Sequence, residues 1–292
     1  MKVSTMVNLF YDAKNGDDAY LESVRKTREI GFTTMDFVMC GMQRNETELN
    51  GDRWEFLVDR IGNEAAKLGV EFGQSHLPYY KWKTSDPAAE GCEKNGFIIE
   101  MTKRSIEISR MLGVKWAVVH PVTDHKYIVD DEKNLAYNHE IYDKYVELAS
   151  KYGVGIAFEN MADIDGNRRY GTVAKDLIQI VDSYNSESVG ACWDFGHANR
   201  VKLPQGLQIE ALGKRLKATH VDDNIGQTDL HTIPYLGTVN WEDAVTALKK
   251  IGYEGDFNFE LAVCKRLPKE LIPSAAKFIF DVGNYIVDTY GN

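Results

Sequence analysis

Residues 141–160, IYDKYVELASKYGVGIAFEN, contain the pattern that decides the fold. Apolar residues recur at helical spacing from Ile141 to Tyr152, and Gly153 follows as the type of residue that ends a helix. The next apolar run is typical of a buried strand, and it ends on Glu159. The stretch therefore predicts a helix, a glycine turn and a buried strand with a carboxylate at its carboxyl end.

The same pattern is repeated along the chain. Helices predicted over residues 55–68, 98–112 and 241–251 end at Gly69, Gly113 and Gly252, and a helix that opens at Asp18 ends at Gly31. Strand candidates begin near Val3, Thr34, Val70, Trp116, Gly155, Val189, Lys217 and Asp256. The average step between them is about 36 residues, which fits one strand, one helix and two loops.

Eight such units predict an α/β fold, a single (β/α)8 TIM barrel that takes up residues 1–292. The alternative is an open doubly wound sheet. That fold would place a glycine-rich phosphate loop after its first strand, and the sequence has no such loop there.

The charge balance restricts the partners. The chain has 34 Lys and Arg against 44 Asp and Glu, a net charge of −10 at pH 7, which disfavours nucleic acid and anionic membranes. No apolar run approaches the ~20 residues of a membrane span, and the first residues lack the features of a signal peptide. The four cysteines are scattered without a C-x-x-C pair, which favours a reducing compartment. We expect a cytoplasmic protein.

Side chains that can do chemistry follow the predicted strands. Active-site residues of a (β/α)8 barrel lie at the carboxyl ends of the strands. The third to the eighth strand end on His76, His120, Glu159, Asp194, His220 and Glu260. The three carboxylates would repel one another at one mouth unless a cation neutralised them. Together with His220 they predict a site for one divalent ion, and Mn²⁺, Co²⁺, Mg²⁺ and Zn²⁺ all suit these ligands.

Several segments resemble the xylose isomerase-like (AP endonuclease 2-type) TIM barrel superfamily, most closely its sugar phosphate isomerase/epimerase branch. They are SHLP at 75–78, FEN at 158–160, WDFGH at 193–197, HVDDN at 220–224, YLGTVNW at 235–241, and GYEG at 252–255 followed by Glu260. The resemblance covers nearly the whole chain. It implies that Glu159, Asp194, His220 and Glu260 hold one metal ion. It also implies that Glu159 and Glu260 are the catalytic acid/base pair and that His197 contacts substrate oxygens.

The residue types fit this chemistry. Isomerisation of an α-hydroxy carbonyl, or epimerisation beside a carbonyl, removes a proton from carbon and builds enediolate charge that a metal ion stabilises. Two carboxylates can take and return the proton, and Glu159 and Glu260 come from different sides of the ring. We predict a metal-dependent isomerase or epimerase of a sugar, sugar phosphate or polyol, with a small carbohydrate as its partner.

Other residues near the predicted mouth are candidates for substrate binding: His76, His120, His197, Asp229, His231, Trp82 and Arg200. Trp82 belongs to an aromatic group after the third strand that could cover a sugar or only pack on the rim. Arg200 could hold a phosphate or carboxylate, or be surface charge. Asp36, inside the second strand, is a weaker candidate for a substrate ligand at the rim. Family members are often dimers or tetramers, so a homo-oligomer is also open.

A rival function comes from the same superfamily. Endonuclease IV-like apurinic-site nucleases hold three zinc ions with nine ligands, and the chain matches all nine positions with His76, His120, Glu159, Asp194, His197, His220, Asp229, His231 and Glu260. Three Zn²⁺ with four carboxylates sum to a charge that attracts a phosphodiester, whereas one ion with three carboxylates suits a neutral sugar. The acidic loops favour the sugar enzyme.

The same residues bear on two further classes of function. An inosose-dehydratase-type lyase begins with the same proton abstraction and stays open as an alternative. A non-catalytic sugar-binding barrel is disfavoured, because binding alone does not need two carboxylates placed for proton transfer.

Overall fold

Eight parallel strands form a ring that follows the order of the chain. The computed structural model describes residues 1–45, 47–79, 96–124, 130–163 and 166–291. The strands are β1 (Val3–Met6), β2 (Thr34–Val38), β3 (Glu71–His76), β4 (Trp116–Val119), β5 (Gly155–Glu159), β6 (Val189–Asp194), β7 (Leu216–His220) and β8 (Phe257–Phe259). The predicted single (β/α)8 barrel is confirmed, and each strand lies where the sequence predicted it.

Helices surround the ring. They are α1 (Ala19–Ile30), α2 (Trp54–Leu68), α3 (Gly96–Met111), α4 (Asp131–Lys151), α5 (Ala174–Tyr184), α6 (Phe195–Arg200), α7 (Gln205–Leu212), α8 (Trp241–Ile251) and α9 (Ile272–Ile286). The predicted glycine turns are confirmed; Gly69 and Gly252, for example, end α2 and α8 with φ of 66° and 69°, a region that favours glycine. Within the described ranges, no helix combines the length and apolar character needed to cross a bilayer.

Helix α4 begins ten residues before the predicted start at Ile141. Its first turns are polar, and the side chain of Asp130 caps them by accepting a hydrogen bond from Lys133 N. Buried Asn134 and Asn138 take core-facing positions and bind backbone groups of the loop after β4, at Asp124 and Val122. Asparagine at core positions breaks the apolar period, which is why the pattern missed this part of the helix.

The ring closes between β7 and β8 through few backbone contacts. Val221 N donates to Asn258 O (2.7 Å), and Glu260 N donates to Val221 O (3.1 Å). Below this bridge the hydroxyl of Thr219 donates to Asp256 O (2.7 Å) and accepts from Asn258 N (3.3 Å). A side chain therefore takes the place of ladder hydrogen bonds at this junction.

Helix α9 packs closely against β8 and β1, the last and the first strand of the chain. At Gly283 an added Cβ would lie 2.6 Å from Phe259 Cε2 of β8 and 2.6 Å from Val3 Cγ1 of β1. Both neighbours are buried in the main core, so neither can move away freely. The glycine is therefore a packing requirement of this helix.

We expect Gly283→Ala to lower the free energy of unfolding by about 1–3 kcal/mol, because overpacking outweighs the helix propensity gained. The matched control is Gly62→Ala in α2, where the added Cβ would make only ordinary contact with Leu112 Cδ2 at 3.5 Å. That variant should be neutral or gain up to about 1 kcal/mol. Urea unfolding of both variants measures the difference, and equal values would contradict the packing argument.

Candidate metal centre

The four predicted metal ligands meet at the carboxyl-terminal mouth of the barrel. Glu159, Asp194 and His220 are the last residues of β5, β6 and β7, and Glu260 directly follows β8. His220 Nδ1 lies 2.9 Å from Glu159 Oε1 and 3.1 Å from Glu260 Oε2. One ligand atom from each of the four residues lies within 4.8 Å of the other three. The strand register has therefore brought the predicted set together.

The charges of this cluster fit a cation. Glu159 and Asp194 are fully buried, and Asp194 Oδ2 finds no hydrogen-bond partner among the described residues. Burial, opposed by His197 and reinforced by the nearby charge of Glu159, raises the pKa of Asp194 to about 7. An ion with oxygen and imidazole ligands would remove the conflict between these carboxylates.

A second cluster shares Glu159. His120 Nε2 lies 3.0 Å and His76 Nε2 3.4 Å from Glu159 Oε2, and the two imidazole nitrogens are 3.1 Å apart. Burial lowers the pKa of His120 to about 4, so its ring is neutral at pH 7. Neutral imidazole beside a carboxylate is the form in which histidine binds metal.

A third cluster consists of His197, Asp229 and His231. The Nε2 atoms of His197 and His231 lie 3.4 and 3.2 Å from Asp229 Oδ2. Asp229 and His231 come from the loop between β7 and α8, and His197 from α6. All nine positions matched to the nuclease ligands thus fall into three adjoining clusters.

Backbone carbonyls determine which imidazole nitrogens carry protons. Nδ1 of each of three histidines lies 2.8–2.9 Å from a carbonyl oxygen, which can only accept: His76 at Leu77, His197 at Asn160 and His231 at Glu260. Nδ1 is therefore the protonated nitrogen, and in the neutral ring Nε2 keeps the lone pair. Each Nε2 then faces Glu159 or Asp229, an arrangement typical of ligands around a cation.

Without a cation, protons on the histidine rings compensate the negative charge of the carboxylates. Burial lowers the pKa of His197 and His231, but nearby carboxylates, chiefly Asp194 and Asp222 respectively, outweigh burial and hold both pKa values well above the ordinary value. The pKa of Glu159 is held well below its usual range by His220 and His120, against the effect of burial. A bound metal ion would release such protons.

Comparison with known proteins identifies the family. The model of the xylose isomerase-like TIM barrel matches residues 24–281, most of the chain. The chain belongs to the xylose isomerase-like TIM barrel family.

Three known proteins are similar to this chain in sequence or in fold. An inosose isomerase of Bacillus licheniformis is 30% identical over 171 residues, which is 56% of this chain and 60% of that enzyme. The crystal structure of the IOLI protein with a bound zinc atom has a TM-score of 0.75 at 19% identity and covers 99% of both chains. An L-ribulose 3-epimerase structure has a TM-score of 0.74 at 16% identity and covers 99% of this chain and 96% of its own.

Arg200, one of the predicted substrate contacts of this xylose isomerase-like barrel, stands apart from the clusters. Trp82 lies outside the described residues. Arg200 lies at the end of α6, where its Nε is 3.1 Å from Asp163 Oδ1 of the loop between β5 and α5. The ring of Tyr79 stacks on that of His120 with centroids 4.9 Å apart. Substrate binding by Trp82 and Arg200 stays a prediction.

Asp36 lies below the rim position suggested for it. The strand register pairs Asp36 with Gln74, whereas Val38, two residues later, pairs with His76 of the mouth. Because Asp36 comes two residues before Val38 on the same strand, its carboxylate lies one layer beneath the candidate ligands, fully buried. Its place inside the strand, and not at the strand end, accounts for this depth.

Asp223, in the HVDDN segment, is a structural residue. It is fully buried and accepts hydrogen bonds from four N–H groups: Asn224 N, Tyr235 N, Val239 N and Trp241 Nε1, at 2.8–3.1 Å. These contacts tie both ends of the loop that carries Asp229 and His231. The neighbouring Asp222 is also fully buried, and its carboxylate lies 3.7 Å from His231 Nδ1.

We expect Asp223→Ala to lower the free energy of unfolding by about 3–5 kcal/mol, because it leaves several buried N–H donors without an acceptor. The control is Asp182→Ala, which removes a half-exposed carboxylate paired with Arg215 and should cost less than about 1 kcal/mol. Thermal and urea unfolding measure both. A loss for Asp223→Ala no larger than that of the control would show that the loop is held by other contacts.

Proposed function

We propose that the chain is a divalent-metal-dependent isomerase or epimerase of a small carbohydrate. The observation that carries the proposal is the meeting of Glu159, Asp194, His220 and Glu260 at the barrel mouth. The similarity to inosose isomerases and the shared fold with an L-ribulose 3-epimerase and other sugar epimerases support it. The zinc atom in the IOLI structure supports a divalent ion.

Glu159, Asp194, His220 and Glu260 would hold the ion. When bound, it supplies a Lewis acid that stabilises negative charge developing on substrate oxygens. Asp194 and His220 act only as ligands in this proposal. Asp194 also orients the start of α6, since its Oδ1 accepts a hydrogen bond from His197 N at 2.6 Å.

Glu159 and Glu260 are the proposed acid/base pair. Both carboxylates lie beside His220 Nδ1, but their surroundings differ: the Glu159 side chain is 1% exposed and that of Glu260 is 19% exposed. Glu260 can therefore exchange protons with solvent, whereas a proton on Glu159 is shielded by His76 and His120. One carboxylate removes the proton from the substrate carbon and the other returns a proton to it.

The five remaining rim residues are the proposed substrate contacts: His76, His120, His197, Asp229 and His231. Their imidazole and carboxylate groups surround the ligands and can bind sugar hydroxyls as donors or acceptors. Trp82 and Arg200 complete the predicted set, as a stacking surface and an anion contact respectively.

A second candidate function is apurinic-site cleavage by a three-zinc nuclease. The observation that favours it is the grouping of the nine matched residues into three clusters. Two of them share Glu159, and His197 of the third lies with its Nδ1 3.5 Å from Glu159 Oε1. Three divalent ions at these clusters would give the mouth a positive charge suited to a phosphodiester.

The number of ions separates the two candidates. We expect elemental analysis of the purified protein to find about one divalent ion per chain, and EDTA to lower the melting temperature in a way that Mn²⁺ or Co²⁺ reverses, because a ligand of the folded state stabilises it. His220→Ala is the control and should lose the ion. Three zinc ions per chain, together with incision of DNA that contains abasic sites, would replace the sugar assignment by the nuclease.

The acid/base pair is tested by substituting each glutamate. Glu260→Gln and Glu159→Gln keep an oxygen ligand but lose the basic carboxylate, so each variant should retain metal while turnover falls by about 10²–10⁴-fold. The measurement is exchange of carbon-bound hydrogen with deuterium from solvent across ketoses, aldoses and inososes. A product that has lost water would indicate the lyase. Full turnover by Glu260→Gln would remove that residue from the pair.

A further inference from the structure

The layer of side chains directly beneath the metal ligands is divided in two. On the side of β4 to β7 it is apolar and consists of Val118, Ala157, Cys192 and Ala218. On the side of β1, β2, β3 and β8 it is polar and consists of Ser4, Asp36, Gln74 and Asn258, all buried. The inside of a (β/α)8 barrel is ordinarily filled by branched apolar side chains. A carboxylate at this depth is costly and calls for a partner.

Asp36 is held in place from two sides. Its Oδ2 accepts hydrogen bonds from Gln74 Nε2 (2.9 Å) and Asn258 Nδ2 (3.1 Å). Gln74 Nε2 also lies 3.3 Å from Thr219 O, which anchors the amide against β7. The same Asp36 oxygen lies 3.6 Å from His220 Nε2, the ring nitrogen that points away from the metal ligands.

His220 has two nitrogens in opposite environments. Nδ1 faces Glu159 Oε1 and Glu260 Oε2 at 2.9 and 3.1 Å, while Nε2 is buried above Asp36. In a neutral ring only one nitrogen carries the proton. The two glutamates would stabilise a proton on Nδ1, and that proton would occupy the position where a metal ion must bind. A proton on Nε2 leaves the Nδ1 lone pair free for the ion.

We infer that Asp36 is a positioning residue that selects the metal-binding tautomer of His220. Its carboxylate attracts the ring proton to Nε2 and so offsets the attraction of Glu159 and Glu260 for a proton on Nδ1. A carboxylate that orients a metal-ligating histidine in this way typically contributes 10–100-fold to metal affinity. The inference rests on the proposed metal site, and it assigns to Asp36 a role distinct from substrate contact.

The test is the affinity of Asp36→Asn for Zn²⁺, measured by competition with a chromophoric chelator. Asparagine has nearly the same shape and can still accept from Gln74 and Asn258, but it lacks the negative charge. We expect the dissociation constant for Zn²⁺ to rise about 10–100-fold. The melting temperature of the metal-free variant should stay close to that of the metal-free wild type. The absorption bands of bound Co²⁺ should change, since they report ligand geometry.

The matched control is Ser4→Ala. Ser4 belongs to the same buried polar layer, and its hydroxyl has no hydrogen-bond partner among the residues that the structure describes. Removing it should leave Zn²⁺ affinity unchanged. Should Asp36→Asn not fold, Asn258→Ser removes one of the two donors that hold Asp36 and should weaken Zn²⁺ binding to a smaller extent.

A double-mutant cycle separates positioning from general loosening. In a His220→Asn background, where an amide oxygen can replace Nδ1 as a ligand and Zn²⁺ binding stays measurable, Asp36→Asn should have no further effect on Zn²⁺ affinity, because the ring through which it acts is gone. An equal loss in both backgrounds would overturn the inference, as would unchanged Zn²⁺ affinity in the single variants. If the wild type itself binds no Zn²⁺, the proposed metal site is wrong and this inference is wrong with it. If the wild type binds Zn²⁺ and Asp36→Asn binds it with the same affinity, this inference alone is overturned.

Discussion

The structure depends on the burial of negative charge at one end of the barrel. Glu159 and Asp194 are fully buried at the ends of adjacent strands, and Asp222 and Asp36 are buried close by. Each carboxylate out of water costs free energy unless an opposite charge or a set of donors compensates it. This negative charge is compensated by the five histidines of the mouth, the amides beneath it and the proposed cation. The need for such compensation explains why polar residues lie where a barrel of this kind could be apolar.

Protons and metal ions compete for the same lone pairs in this mouth. In the protein without a cation, carboxylates hold protons on His197, His220 and His231 and raise their pKa values. Every ion that enters must displace such protons, so occupancy by metal and the charge of the histidines change together. The number of ions bound then sets the sign of the charge that a substrate meets, and this links metal count to the choice between a neutral sugar and a phosphodiester.

The features that sequence reasoning predicted are local ones. Apolar runs and helix-ending glycines marked the strands and most helix ends, and the ligands followed because strand ends converge in a parallel barrel. What was missed depends on contacts between distant segments. The start of α4 contains Asn134 at a core position, Asp36 accepts hydrogen bonds from amides of β3 and β8, and Asp223 binds N–H groups up to eighteen residues later. Residue identity alone carries no signal for any of these.

The junction of β7 with β8 gives the site a mechanical role. His220 ends one of these strands and Glu260 follows the other. Among the described residues, the backbone of the two strands is joined by the bridge of Val221 and the hydroxyl of Thr219. Any widening of this seam pulls His220 Nδ1 and Glu260 Oε2 apart. An ion bound by both residues would hold β7 and β8 together at a junction that has few hydrogen bonds. Opening of the barrel wall at this junction would then also disrupt the proposed metal site.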